Sequence, residues 1–126
     1  MGKINNIIRI PTSISTNFFR YWLEFLKPFH SLTDREMQVA SSLLKKRHEL
    51  SKVIQDEGIL DKVMMSEDTK RFVREECNIS IPHFQVIMGK LRKSKVILDG
   101  KLNPRFIPNL TEEKGSFRLL LNFELS

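Results

Sequence analysis

Apolar positions recur at helical spacing over most of this chain, and the clearest run is residues 80–97, SIPHFQVIMGKLRKSKVI. Phe84, Ile87, Met88 and Leu91 fall three or four residues apart and form one apolar stripe. His83, Gln85, Lys90, Arg92 and Lys93 lie mostly off it. Ser80 is placed to cap this helix by accepting a hydrogen bond from a first-turn N–H, and Pro82 is tolerated there because those donors have no intrahelical partner. One face therefore packs and the other stays free.

Earlier stretches repeat the pattern. Thr33 and Glu36 have the spacing of a capping box and predict a helix over 34–49, with Met37, Ala40, Leu43, Leu44 and Leu50 as its buried stripe. Lys45, Lys46 and Arg47 near its end complement the negative end of the helix dipole. His48 has no partner at metal-ligand spacing and reads as a surface histidine. Gly58 interrupts the next stretch, leaving a short helix at 60–64. Ser66, with Glu67 and Asp68 in the first turn, opens a helix over 67–77 whose inward side chains are Phe72, Val73 and Cys77. Asn78 tolerates the left-handed conformation that ends helices, so the chain turns there and enters Ser80.

The two ends have a different texture. Residues 1–15 read as an extended arm, a short strand or an arm on a neighbour, because Ile4, Ile7, Ile8 and Ile10 are β-branched and Pro11 discourages a helix before it. Residues 16–29, TNFFRYWLEFLKPF, form an aromatic helix with Phe18, Trp22, Phe25 and Phe29 along one face and Pro28 marking its end. That face either covers the core of its own domain or pairs with another subunit, as a homodimer or in a larger assembly. Downstream, KVILDGKL is a strand ended by the tight-turn signal Asp99-Gly100, NPRFIPNLTEEKGS is a loop, and SFRLLLNFEL alternates as a terminal strand. Strand, long loop and strand make a small β wing.

A chain of 126 residues accommodates one domain, so the arm and aromatic helix at 1–30 belong to the same unit as 31–126. An apolar share of 40% with 29% charged residues belongs to a folded protein, not a disordered one. The net charge of +6 makes nucleic acid the first partner class, ahead of an acidic membrane surface or an acidic protein. The excess is local: residues 77–98 hold Lys90, Arg92, Lys93 and Lys95 and no acid, so the free face of the helix at 80–93 carries positive charge. A lone Cys77 makes neither an internal disulfide nor a metal cluster, which fits a small core residue in a reducing cytoplasm. No apolar run has the length of a membrane span, and MGKINNIIRI lacks a signal peptide's apolar region and cleavage site, so a soluble, unprocessed chain is expected.

Two short helices joined by a brief turn, the second basic on its free face, make a helix-turn-helix layout. VREECNISIPHFQVIMGKLRKSKVI resembles the winged-helix pattern: a first helix, Asn78 in the turn, Ile79, the cap Ser80, apolar Phe84, Met88 and Leu91, then an apolar exit at Val96 and Ile97. The resemblance extends over 33–123 and implies a mostly α fold with a small β wing, a winged helix-turn-helix carrying an N-terminal arm and an extra aromatic helix. It implies that helix 80–93 enters the major groove of duplex DNA with Gln85, Lys90 and Arg92 at base edges or nearby phosphates. Lys93, Lys95 and the wing residues Lys101 and Arg105 then hold the backbone, with Lys114 and Arg118 as further wing charges, while His83 is either a phosphate contact or a capping-turn residue.

On that resemblance the chain is a regulator of transcription, a replication protein or the DNA-recognition part of a packaging machine. The alternative is an assembly module whose same faces meet protein. RYWLEFLKPFHSLTDREMQVA and ISIPHFQVIMGKLRK are similar to small proteins of crAss-like gut bacteriophages, which implies a regulator in the host cytoplasm or a virion component. No Gly-rich phosphate loop, paired Cys/His spacing or nucleophile elbow occurs, so neither catalysis nor a cofactor is expected.

Overall fold

The computed structural model describes residues 7–13, 17–110 and 116–126. Among them the elements run α1 Phe18–Phe25, α2 Lys27–His30, α3 Asp34–Ser51, α4 Glu57–Met64, α5 Glu67–Cys77 and α6 Ile81–Lys93. The hairpin β1 Ile97–Leu98 and β2 Lys101–Leu102 comes next, then a 3-10 turn at Pro104–Phe106. The architecture is mostly helical with one small antiparallel sheet.

Helix α3 is the centre of the fold because its start is fixed locally and its sides are apolar. The Thr33 hydroxyl accepts from the Glu36 N–H at 3.3 Å, and the Glu36 carboxylate accepts from the Thr33 N–H at 3.1 Å. Helices α1, α4, α5 and α6 all pack against α3. Met37, Val39, Ala40, Leu43 and Leu44 are buried, and Val39 lies outside the predicted stripe because a helix covered from several sides buries more than one. Leu50 is half-buried at the edge of the core.

The α5–turn–α6 unit follows the sequence closely. Ser66 Oγ accepts from the Thr69 N–H at 3.4 Å and Ser80 Oγ from the His83 N–H at 3.3 Å, capping the two helices. Asn78 adopts the left-handed conformation, with φ 53° and ψ 56°, and its carbonyl accepts from the Arg35 guanidinium at 3.1 Å, which ties the turn to α3. Val73, Cys77, Phe84, Ile87, Met88 and Leu91 are buried, while Phe72 is half-buried beneath the Lys46 ammonium.

Several expectations are corrected. The aromatic helix divides: α1 stops at Phe25, and Pro28 falls in the first turn of α2, where its missing N–H and its clash with the preceding turn cost nothing. Leu26 turns inward at the break. Phe25 and Phe29 are 53% and 57% exposed, and the buried set is Phe18, Phe19, Trp22, Leu23 and Leu26. Helix α4 starts at Glu57, three residues before the expected 60, because Asp56 Oδ1 accepts from the Ile59 N–H at 3.0 Å and Gly58 is accommodated in the first turn. His48 is half-buried with its ring centroid 5.9 Å from that of Phe19, so it belongs to the α1–α3 seam.

The wing is also smaller than predicted. Ile97 pairs with Leu102 and Leu98 with Lys101, across a two-residue turn in which Asp99 (φ 55°) and Gly100 (φ 76°) both take positive φ. The partner of β1 is therefore the segment immediately after Gly100, and residues 116–126 form no strand. The segment after the hairpin is held by the Trp22 Nε1–H, which donates to the Phe106 carbonyl at 2.7 Å. Residues 7–13 carry no regular structure and are exposed. Ile4 of the arm, Thr16 at the expected helix start, and Glu112, Glu113, Lys114 and Gly115 of the loop lie outside the described residues. Among the described residues no helix is long and apolar enough to cross a membrane.

Candidate nucleic-acid interface

With Phe84, Ile87, Met88 and Leu91 committed to the core, the outward side of α6 is set by the helical repeat. Pro82, Val86, Gly89 and Lys93 recur at four-, three- and four-residue steps along its middle, and all are exposed. His83 and Lys90 flank that line on one side, Gln85 and Arg92 on the other, and these too are exposed. The last turn holds Lys90, Arg92 and Lys93, which complement the negative end of the helix dipole, and the first turn holds no acid. Lys95 comes next with φ 65°, and its carbonyl accepts from the Asn103 amide at 2.9 Å, pinning the end of α6 to the hairpin. Five of the eight residues expected to contact DNA thus share α6, and Lys95 adjoins it.

Gln85 and Arg92 do not face straight out. They border a cleft of about 390 Å³ between α5 and α6, with Glu67, Lys70 and Arg74 on its opposite side and Phe84 and Met88 at its floor. The Arg74 guanidinium lies 5.5 Å from the Phe84 ring centroid and 3.9 Å from the Glu67 carboxylate, so its charge is partly met within the chain. Lys70 and Arg74 were not foreseen, although their four-residue spacing places both on one face of α5. Val86 and Gly89 were also missed. The signal was the same periodicity, counted from Pro82 to Lys93 instead of from charge.

The two wing cations have other engagements. Lys101 Nζ lies 4.0 Å from Asp61 on α4, whose other carboxylate oxygen is 3.7 Å from Arg47. The Arg105 guanidinium stands 6.0 Å from the Phe29 ring centroid. Of the four aromatic residues expected at a partner interface, Phe18 and Trp22 are buried in the chain's own core, and Phe25 and Phe29 remain on the surface.

Cys77 and His30 are occupied structurally. Burial pushes the Cys77 thiol up from its usual value, a change that disfavours the thiolate, and its Sγ donates to the Gln38 carbonyl at 3.8 Å. His30 is buried: its Nδ1 accepts from the Leu32 N–H at 2.9 Å, which leaves Nε2–H to donate to the Leu23 carbonyl at 2.8 Å. That ring ties the end of α2 to α1. His83 is exposed. Among the described residues no three His, Cys, Asp or Glu side chains gather as a metal site.

No protein-family model, curated protein or solved structure matches this chain.

Proposed function

We propose that this chain is a non-enzymatic winged-helix protein of phage type that binds duplex DNA through the outward side of α6, in transcription, replication or packaging. One observation carries the reading: α6 buries its whole apolar stripe and presents Lys90, Arg92 and Lys93 with no acid on the free side. The cap at Ser80 and the hairpin behind Lys95 hold that side rigidly. In the groove Val86 offers an apolar contact for a thymine methyl, Gly89 lets the helix approach closely, and Lys90, Lys93 and Lys95 reach phosphates. Gln85 and Arg92, on the α5 side, read one edge of the site together with Lys70.

Duplex binding by the full chain, titrated across salt, tests it. Three phosphate contacts predict a loss of affinity of about fortyfold between about 50 and 200 mM salt, through counterion release. Lys90→Ala with Arg92→Ala weakens binding about tenfold or more and lowers the salt slope by about one, the phosphate contact of Lys90. Negligible binding at low salt, or a double variant that binds like the parent, removes the proposal. Exposed Phe25 and Phe29 support a second reading, an assembly module meeting protein, which recovery of the chain in purified virions or complexes tests.

A further inference from the structure

The C-terminal segment has the sequence of a strand and no sheet to join. Phe117 is anchored, its ring edge-on to Phe18 at 5.2 Å and to Trp22 at 5.4 Å between centroids. Beyond it, exposure alternates: Leu119 is 40% exposed, Leu120 89% and Leu121 54%. Phe117, Leu119, Leu121, Phe123 and Leu125 occupy alternate positions and so share one side of an extended chain. The side is continuous and apolar, yet Phe123 and Leu125 are almost fully in solvent. The two strands of the hairpin are two residues each, too short to receive it.

We propose that residues 117–125 pair antiparallel with the same segment of a second copy of this chain, about a two-fold axis through Leu121. Charge and shape agree in one register. Pairing about Leu121 sets Phe117 against Leu125 and Leu119 against Phe123 on the apolar side. On the other side it sets Arg118 against Glu124, twice by symmetry. A one-residue slip puts polar positions against apolar ones, and a two-residue slip separates Arg118 from Glu124. Neither Arg118 nor Glu124 has an ion-pair partner among the described residues of its own chain. The apolar side at Phe117 continues onto Phe18 and Trp22, so the ribbon is backed at both ends by a folded body. This pairing does not rest on DNA binding, and its test reads mass and cross-linking in the absence of DNA.

A two-stranded ribbon is marginal by itself, so association is weak and concentration-dependent. Sedimentation of the full chain over about 5 to 500 μM shows a monomer passing to a dimer in the parent. Glu124→Arg, which sets Arg118 against arginine at both pairs, weakens the dimer about tenfold, as does Arg118→Glu. The swap of both, Arg118→Glu with Glu124→Arg, restores parent affinity. Leu121→Cys forms a disulfide-linked dimer under mild oxidant, whereas the parent, whose lone Cys77 is buried, does not. A parent that stays monomeric throughout, a double swap as weak as either single change, or Leu121→Cys that does not cross-link overturns the pairing.

Discussion

Helix α6 and the aromatic segment 17–30 carry stripes of the same kind, four large apolar side chains at helical spacing, but only α6 buries all four. Phe84, Ile87, Met88 and Leu91 sit on one uninterrupted helix between Ser80 and Ser94, so the period that aligns them in sequence aligns them in space. Phe18, Trp22 and Phe25 share α1, whose packed side also takes Phe19, Leu23 and Leu26 and leaves Phe25 at its margin, and Phe29 lies beyond the break at Leu26. Pro28 forces that break, and α2 restarts with its own phase, which turns Phe29 outward. Leu26 and His30 take the inward places at this end of the molecule. A hydrophobic period therefore predicts a buried face only as far as its helix runs, and within the helix only for the positions near the centre of the packed side.

The largest expected effect separates the two stripes directly. Leu91 is fully buried, and Leu91→Ala costs about 2–5 kcal/mol by lost transfer energy and the cavity left behind. Phe29→Ala, at an exposed position with the Arg105 guanidinium 6.0 Å from its ring centroid, costs about 0.5 kcal/mol or less. Urea unfolding of the two variants measures both. Comparable losses at the two positions would erase the distinction.

A smaller effect sharpens what anchors the aromatic segment. Trp22→Phe keeps most of the ring packing against Phe117 but removes the Nε1–H that donates to the Phe106 carbonyl at 2.7 Å. A buried carbonyl left without a donor costs about 1–3 kcal/mol. The same unfolding measurement reads it, and a change near zero would show that the indole N–H has no hold on the segment after the hairpin.

These cases also mark what the sequence made legible. Thr33 with Glu36, Ser66, Ser80 and Asn78 act within three residues of themselves, so the helix starts and the turn before α6 could be read directly. The basic free side of α6 came from the same local logic. Pairings between distant segments could not be read this way. The alternation in 117–125 identifies a strand's two sides without saying what it pairs with, and the nearer residues Lys101 and Leu102 took the place beside β1. Lys101 looked like a free wing charge because Asp61, which it faces, lies on another helix. Lys70 and Arg74 escaped notice because the cleft they border exists only once α5 and α6 are packed together.

The smallest expected effect tests how the aromatic segment sits on α3. His48 projects from α3 against Phe19 of α1, and its pKa lies below the usual 6.5, mainly because burial disfavours the imidazolium, with Lys52 adding repulsion and Glu49 opposing it. Below about pH 6.5 the unfolded chain therefore holds the proton more readily than the folded one, so acid favours unfolding. The neutral ring's contribution is fully present above the unfolded value and is lost as pH falls through the folded one. His48→Gln removes this titration, and the melting temperature of the variant falls less steeply than the parent's between about pH 7 and about pH 5. Parallel slopes would mean that Phe19 does not shield the ring from water at the α1–α3 seam.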